Sequence, residues 1–304
     1  MGVEPAEFVS IGSAGLGLFA YLGLIRTLHV TNPKLLEGAR GFIGVSAGAF
    51  ACLCLALELH RNDDFTLIHN AAKRCTVLSN HKVCSFGLSA PNMGKNIACD
   101  LKQLANAMLR HGGFHEDVTM AGLQARLQAE VAFVATDLRS QQPLLLTART
   151  FPDLSVSTAI SMSAAVPLLT APIHFADYLL TDGAVSEEIN TTYFDPSKTL
   201  FVYSQTDVPA PISSEDLFTV MRHTLACAAK QQERLTLRAL RHLKSIRINS
   251  KGIFNYVDTP TYKLYAEMDQ LYVHGCARAL TETTPVLSIV LARLAHRLAN
   301  FVPH

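Results

Sequence analysis

The chain contains no tryptophan and little charge. Asp, Glu, Lys and Arg make up 17% of its 304 residues, against a usual ~25%. The two signs nearly cancel, to a formal net charge of +1. No global field therefore draws it to nucleic acid. It also lacks an uninterrupted membrane span. The stretch that most invites that reading, 8–25, is about 18 residues long, the lower edge of span length. Glycines at 12, 15 and 17 break it, and a strand, a Gly-rich turn and a helix fit better. Glu4 and Glu7 precede it with no basic segment, which excludes a signal peptide. Met1-Gly2 invites myristoylation, but Ala6 stands where Ser or Thr is needed. Zinc-ligand spacing is missing too. The seven cysteines are 52, 54, 75, 84, 99, 227 and 276, and Cys52-Leu-Cys54 is too tight. Buried free thiols in a reducing compartment are expected, hence a cytosolic or membrane-peripheral location.

What the chain has is apolar residues, 49% of the total, enough for one large core or a domain with a sizeable extension. Strand and helix patterns alternate: strand 8–11, helix 18–29, strand 41–45, helix 47–60. A mostly helical stretch, 63–128, is broken by a polar loop at 79–96. Strands at 130–136 and 143–148, a helix at 156–164, a loop at 165–176 and strands at 177–181 and 199–204 follow. This alternation predicts an α/β fold, a mostly parallel central sheet flanked by helices. Beyond about residue 205 the pattern is helical, at 214–230, 231–249, 259–280 and 285–301. A catalytic domain over 1–205 and a helical C-terminal extension over 206–304 are expected. The boundary falls where Asp207, Pro209 and Pro211 cluster.

Three motifs carry chemistry. Gly44-Val45-Ser46-Ala47-Gly48 is a Gly-x-Ser-x-Gly pentapeptide at the junction of a short apolar strand and a helix. A sharp turn there would lift the serine hydroxyl out of the sheet, and glycines at 44 and 48 remove Cβ atoms that would clash. Gly12-Ser13-Ala14-Gly15-Leu16-Gly17 follows the first strand. Its backbone N–H groups can converge on an anion, a phosphate or the oxyanion of a tetrahedral intermediate. Asp182 and Gly183 follow the strand at 177–181. A carboxylate at a strand end faces a cleft readily, and beside a nucleophilic serine it is the natural base.

Two rival readings exist. Gly15-x-Gly17-x-x-Ala20 with Glu37 satisfies a dinucleotide-binding fingerprint, but leaves Ser46 and Asp182 unexplained. A Ser-His-Asp triad would use Ser46 with His223, His242 or His274. That fold builds several strands before its elbow, and here only one precedes residue 41.

In the order of these motifs the chain resembles the patatin-like phospholipases, a family of lipid acyl hydrolases. Residues 12–28 resemble the glycine-rich loop and following helix, and 44–48 the serine elbow. Residues 133–138 and 143–147 resemble the paired strands, Ser163 to Pro167 the loop before the aspartate, and Asp182-Gly183-Ala184 the Asp-Gly-Gly/Ala motif. The resemblance implies a Ser–Asp dyad, with Ser46 as nucleophile and Asp182 as base. Backbone N–H groups of Gly12, Ser13, Ala14 and Gly15 would form the oxyanion hole. It implies no cofactor and no metal, a phospholipid or acylglycerol substrate, and peripheral contact with a membrane or lipid-droplet surface. A triacylglycerol lipase or general esterase with the same dyad, or an inactive lipid-binding scaffold, is the alternative. The loop departs from the family's Gly-Gly-Gly-x-Arg/Lys-Gly: Ser13 and Ala14 replace glycines, and Leu16-Gly17 brings no basic residue. Glu187 and Glu188 stand where Asn is frequent, and Asn190 where Pro is common. Two segments are candidate lipid-binding elements: a basic amphipathic helix over 230–251, and the tail helix after Thr284-Pro285.

Overall fold

The computed structural model describes residues 5–61, 93–206, 217–251 and 261–283. The tail helix expected at 285–301, and most of the loop expected at 79–96, lie outside these residues. In chain order the strands are β1 (Phe8–Ile11), β2 (Gly41–Val45), β3 (Glu130–Asp137), β4 (Gln142–Thr147), β5 (Ile173–Phe175), β6 (Tyr178–Asp182), β7 (Thr199–Thr206) and β8 (Ser245–Ser250). The helices are α1 (Leu18–Thr31), α2 (Ala47–Arg61), α3 (Met93–His111), α4 (Met120–Leu127), α5 (Val156–Ser163), α6 (Leu217–Ala239) and α7 (Thr261–Thr283). The strands form one sheet in the order β5-β6-β3-β2-β1-β7-β8, with β4 also paired to β3. Strands β3, β2, β1, β7 and β8 run parallel. Strands β4 and β6 run antiparallel to β3. This is the α/β architecture that the strand–helix alternation predicts.

The central strands are apolar runs because both faces of the sheet are covered. Side chains alternate between the two. Phe42, Val131, Phe133 and Ala135 join the large core under α1, α2, α3 and α5. Ile43, Val45, Ala132 and Val134 join a smaller one closed by Tyr193 and Phe194.

The region after 206 is mainly helical, yet the helix expected at 231–249 is not formed as such. Helix α6 ends at Ala239, a 3-10 turn covers Leu240–His242, and β8 follows. The reason lies in the change of period. Leu237, Leu240 and Leu243 keep helical spacing, but Ile246, Ile248 and Ser250 alternate as buried residues with exposed Arg247 and Asn249. The basic residues of 230–251 are thus divided among a helix, a turn and a strand, and the single amphipathic face does not exist. Strand β8 pairs with β7 in parallel, so the sheet continues across the boundary expected near 205. The loop expected at 165–176 likewise contains β5, which forms a hairpin with β6.

Helix α7 is seated directly on α1. A Cβ on Gly275 would lie 1.9 Å from the Ala20 carbonyl oxygen, and one on Gly23 would lie 2.1 Å from that of Tyr272. The two helices therefore touch backbone to backbone. Gly275→Val should force them apart and destabilise the fold by about 1–3 kcal/mol, read as a lower midpoint in urea unfolding. Gly38→Ala, where an added Cβ meets nothing within 4 Å, should leave that midpoint unchanged.

Candidate active site

Ser46 follows β2 and precedes α2, and its φ is +55°. This left-handed backbone is costly for a residue with a Cβ. Packing enforces it. A Cβ on Gly44 would lie 2.4 Å from the Gly48 carbonyl oxygen, and a Cβ on Gly48 would lie 2.1 Å from that of Ile11. Helix α2 can leave the strand at this angle only because both positions are glycine. The turn has the backbone geometry of a strand–elbow–helix junction as well as its Gly-x-Ser-x-Gly motif. The Ser46 N–H donates to Ser163 Oγ (3.0 Å), and the Ser163 hydroxyl donates to the Val134 carbonyl (2.6 Å). Ser163 thereby ties the strained residue to β3. Sequence reasoning placed Ser163 in a motif but gave it no role; its signal there was a small hydroxyl at the end of an apolar helix.

Asp182 reaches Ser46 through strand pairing. Strand β4 occupies one edge of β3 along Ala132–Asp137, and β2 occupies the other along Glu130–Val134. Strand β6 pairs with Ala135–Asp137. Since β4 already fills the far edge there, β6 continues the edge that β2 leaves. Val45 pairs with Val134 and Asp182 with Ala135, so residues 136 apart in sequence meet end to end. The Ser46 hydroxyl donates to Asp182 Oδ2 at 2.6 Å, and Oδ1 accepts from the Ala184 N–H at 2.8 Å. Both residues are buried, at 6% and 3% exposure. Burial pushes the Asp182 carboxyl up to about 6, and the bonds from Ser46 and Ala184 only partly oppose it. In its ionised form the Asp182 carboxylate is placed to accept the proton of the Ser46 hydroxyl.

The Gly-rich loop is held at the same ends of the strands. The Gly12 N–H donates to Val202 and the Ser13 N–H to Glu188, both to backbone carbonyls at 2.9 Å. Those two donors are engaged, which corrects the expectation that all four loop residues could serve an oxyanion. Ala14 and Gly15 open a 3-10 turn, whose first N–H groups have no partner within the turn. Of the loop residues only Gly15 has a positive φ, +54°, while Ala14 sits at −159°. The substituted positions therefore do not need glycine. Tyr21, fully buried, donates to the Ser13 carbonyl at 3.2 Å. Beside it lies the buried Glu188 carboxyl, which desolvation, with repulsion from Glu233, lifts to about 8.

His223, His242 and His274 have no hydrogen bond to Ser46 or Asp182 among the described residues. His242 sits before the start of β8, at the opposite end of the sheet. Among the described residues no three His, Cys, Asp or Glu side chains form a group that could hold a metal ion. No described helix is long and apolar enough to cross a membrane.

Two outcomes follow for stability. Asp182 has a raised carboxyl pKa, so its stabilising contribution is complete below about pH 4 and lost as pH rises through about 6. At pH 8 the buried charge should cost the fold about 2–3 kcal/mol. Asp182→Asn should then unfold at a higher temperature than wild type at pH 8, with the difference vanishing below pH 4. Ser163→Ala leaves the buried Ser46 N–H without its acceptor and should lose about 1–2 kcal/mol in urea unfolding, with Ser163→Thr recovering part of it.

A family model described as patatin-like phospholipase matches residues 9–195. No curated protein matches the chain. Among solved structures it is similar to VipD from Legionella pneumophila, with a TM-score of 0.55 and 13% identity over 92% of this chain and 67% of that one. That likeness is one of fold. The type III effector ExoU, known in Pseudomonas aeruginosa, aligns with a TM-score of 0.43 and 13% identity over 92% of this chain and 54% of its own. The chain thus spans about half of ExoU. With a family match over more than half its residues, an elbow serine and a buried aspartate in contact, the chain belongs to the patatin-like phospholipase family of lipid acyl hydrolases.

Proposed function

We propose that the protein is a phospholipase A-type hydrolase that cleaves fatty-acyl esters of glycerophospholipids through a Ser46–Asp182 dyad. The observation that carries this reading is the buried 2.6 Å hydrogen bond from the Ser46 hydroxyl to Asp182 Oδ2. In the first step Ser46 Oγ attacks the ester carbonyl carbon and its proton passes to Asp182. The carbonyl π electrons move onto oxygen, making the tetrahedral oxyanion. Collapse expels the lysolipid alkoxide, which takes the proton back from Asp182, and leaves an acyl-serine. Water then adds to the acyl-serine with Asp182 again accepting a proton, and collapse frees the fatty acid and restores Ser46.

A carboxylate is normally too weak a base for a serine. Its desolvation, to about 6, brings it nearer to working pH and helps the transfer. Support for the oxyanion comes from the N–H groups of Ala14 and Gly15, with the positive end of α2 directly behind Ser46. None of these steps calls for a metal or a cofactor. A triacylglycerol lipase or general esterase would use the same residues. The inactive scaffold is disfavoured by the contact between Ser46 and Asp182. Lipid substrates lie at an interface, so the protein acts peripherally at a membrane or lipid-droplet surface.

Acyl release from mixed phospholipid vesicles and from triacylglycerol emulsions tests this reading. Wild type should release fatty acid from the vesicles, and Ser46→Ala and Asp182→Asn should each lose about a thousandfold or more in kcat. Equal release by wild type and Ser46→Ala overturns the mechanism. The base must be ionised, so kcat/KM should rise with pH through about 6 and level off above it. Faster release from emulsions than from vesicles would move the substrate class to acylglycerols.

A further inference from the structure

Helix α1 reaches back to the loop that precedes it. Side chains on a helix tilt toward its N-terminus, so Tyr21, in the first turn of α1, points back at residues 12–17. Its hydroxyl donates to the Ser13 carbonyl at 3.2 Å. The residue is fully buried. Burial, with the nearby Glu188 charge, raises the phenol well above its usual range, so the hydroxyl keeps its proton and stays a donor. This turn of α1 cannot shift. A Cβ on Gly275 would lie 1.9 Å from the Ala20 carbonyl oxygen, and one on Gly23 would lie 2.1 Å from that of Tyr272. Helix α7 therefore clamps the backbone on both sides of Tyr21.

The bond from Tyr21 fixes more than a carbonyl. A trans peptide is planar, with its C=O and N–H pointing opposite ways. With the Ser13 carbonyl held by Tyr21, the Ala14 N–H lies on the side away from the ring. The preceding peptide is fixed as well. The Ser13 N–H donates to the Glu188 carbonyl. The Gly12 carbonyl, on the other side of that peptide, abuts the start of α2, since a Cβ on Gly48 would lie 2.5 Å from its oxygen. Loop and elbow are thus in contact, and both peptides flanking Ser13 are held. The N–H groups of Gly12 and Ser13 are spent on anchoring, which makes that of Ala14 the first one available to an anion.

We propose that Tyr21 is a positioning residue for ester cleavage: its hydroxyl holds the peptide between Ser13 and Ala14 so that the Ala14 N–H faces the developing oxyanion. Without that bond the peptide can turn over about the single bonds on either side of it. The Ser13 carbonyl oxygen, an acceptor, would then stand where the donor stood and repel the anion. A preset donor stabilises the transition state because it needs no reorganisation when the charge forms. Tyr21 acts through Ala14 and not on the ester itself. The role rests on the hydrolase reading, in which Ser46 attacks and the loop supports the oxyanion. It also ties the C-terminal helix to the chemistry, since α7 pins the turn of α1 that carries Tyr21.

The test uses the full chain, its Tyr21→Phe and Leu28→Ala variants, and a chain with lactic acid in place of Ala14, which exchanges that N–H for an ester oxygen. Leu28 is buried on the same helix, seven residues farther on, so Leu28→Ala loosens the core and spares the loop. Each chain is assayed on a soluble short-chain ester and for inhibition by a fatty-chain trifluoromethyl ketone. Ser46 Oγ adds to the ketone carbon, its proton passes to Asp182, and the ketone oxygen becomes the anion of a hemiketal. The inhibition constant therefore reads oxyanion support without turnover. Tyr21→Phe should lose about ten- to a hundredfold in kcat with little change in KM, and the inhibition constant should rise by the same factor. Leu28→Ala should lower the urea midpoint and leave both unchanged. Adding Tyr21→Phe to the lactic-acid chain should cost little more, because the hydroxyl acts through an N–H already removed. Wild-type kcat and inhibition in Tyr21→Phe overturn the proposal, as do an equal loss in Leu28→Ala and full additivity of the two loop changes. A Tyr21→Phe chain that does not fold also overturns it, since the hydroxyl is then a requirement of the core. A wild type that neither cleaves the ester nor forms the ketone adduct overturns the hydrolase reading and this role with it; the other outcomes strike the role alone.

Discussion

One edge of β3 serves two strands in succession. Strand β2 occupies it as far as Val134, and β6 takes over at Ala135 with the opposite direction. The chemistry of the site depends on this hand-over. It aligns the last residue of β2 with the last of β6, so that Ser46, one step beyond, meets Asp182 at 2.6 Å. Strand hydrogen bonds are short and directional, so the two ends cannot drift apart without breaking the ladder. The Ser163 hydroxyl adds a crossbrace from the serine N–H to the Val134 carbonyl at that point. Even the raised basicity of Asp182 follows, because the position that lets it touch Ser46 also removes it from water.

The Gly-rich loop illustrates how a motif can erode without losing its geometry. Hydrogen-bond donors of the backbone do not depend on side chains, and the loop needs a left-handed residue only at Gly15. Ser13 and Ala14 are therefore tolerated. What the loop does need is anchoring, and it comes from distant parts of the chain: Val202 on β7, Glu188 beyond Asp182, and Tyr21 on α1. Two of the four loop donors are consumed by that anchoring. The anchored loop can hold Ala14 and Gly15 at the same strand ends as Ser46.

The region after residue 206 belongs to the same structure rather than to an appendage. Strand β8 widens the sheet, and α7 lies against α1 where Gly23 and Gly275 allow backbone contact. The cost of placing β8 beside β7 is a helix that must travel back the length of the sheet. Helix α6 makes that return and is fastened to the carboxyl end of β7 through Lys230 and Glu233.

Much was legible in the linear chain because it was local. The strand–elbow–helix of 41–60, the turn at 12–17, and the apolar strands β3 and β7 are written in short-range periodicity and in glycines that short-range sterics require. The order of these pieces sufficed to single out Ser46 and Asp182 as candidates, and the two side chains are in contact. Other features were not legible because they are decided by distant partners. A hydroxyl such as Ser163 acquires its role only when β3 and β2 come beside it. Which loop N–H groups stay available depends on carbonyls from β7 and from residues after Asp182. The period change after Leu243 was masked by basic residues that continue at helical spacing, and only the open edge of β7 settles Ser245–Ser250 as a strand. By itself the sequence determined the elements and the chemical groups, since propensity and sterics act over a few residues. The tertiary structure alone decided which groups touch, which donors remain and how basic Asp182 is, since contact and desolvation are properties of the assembled core.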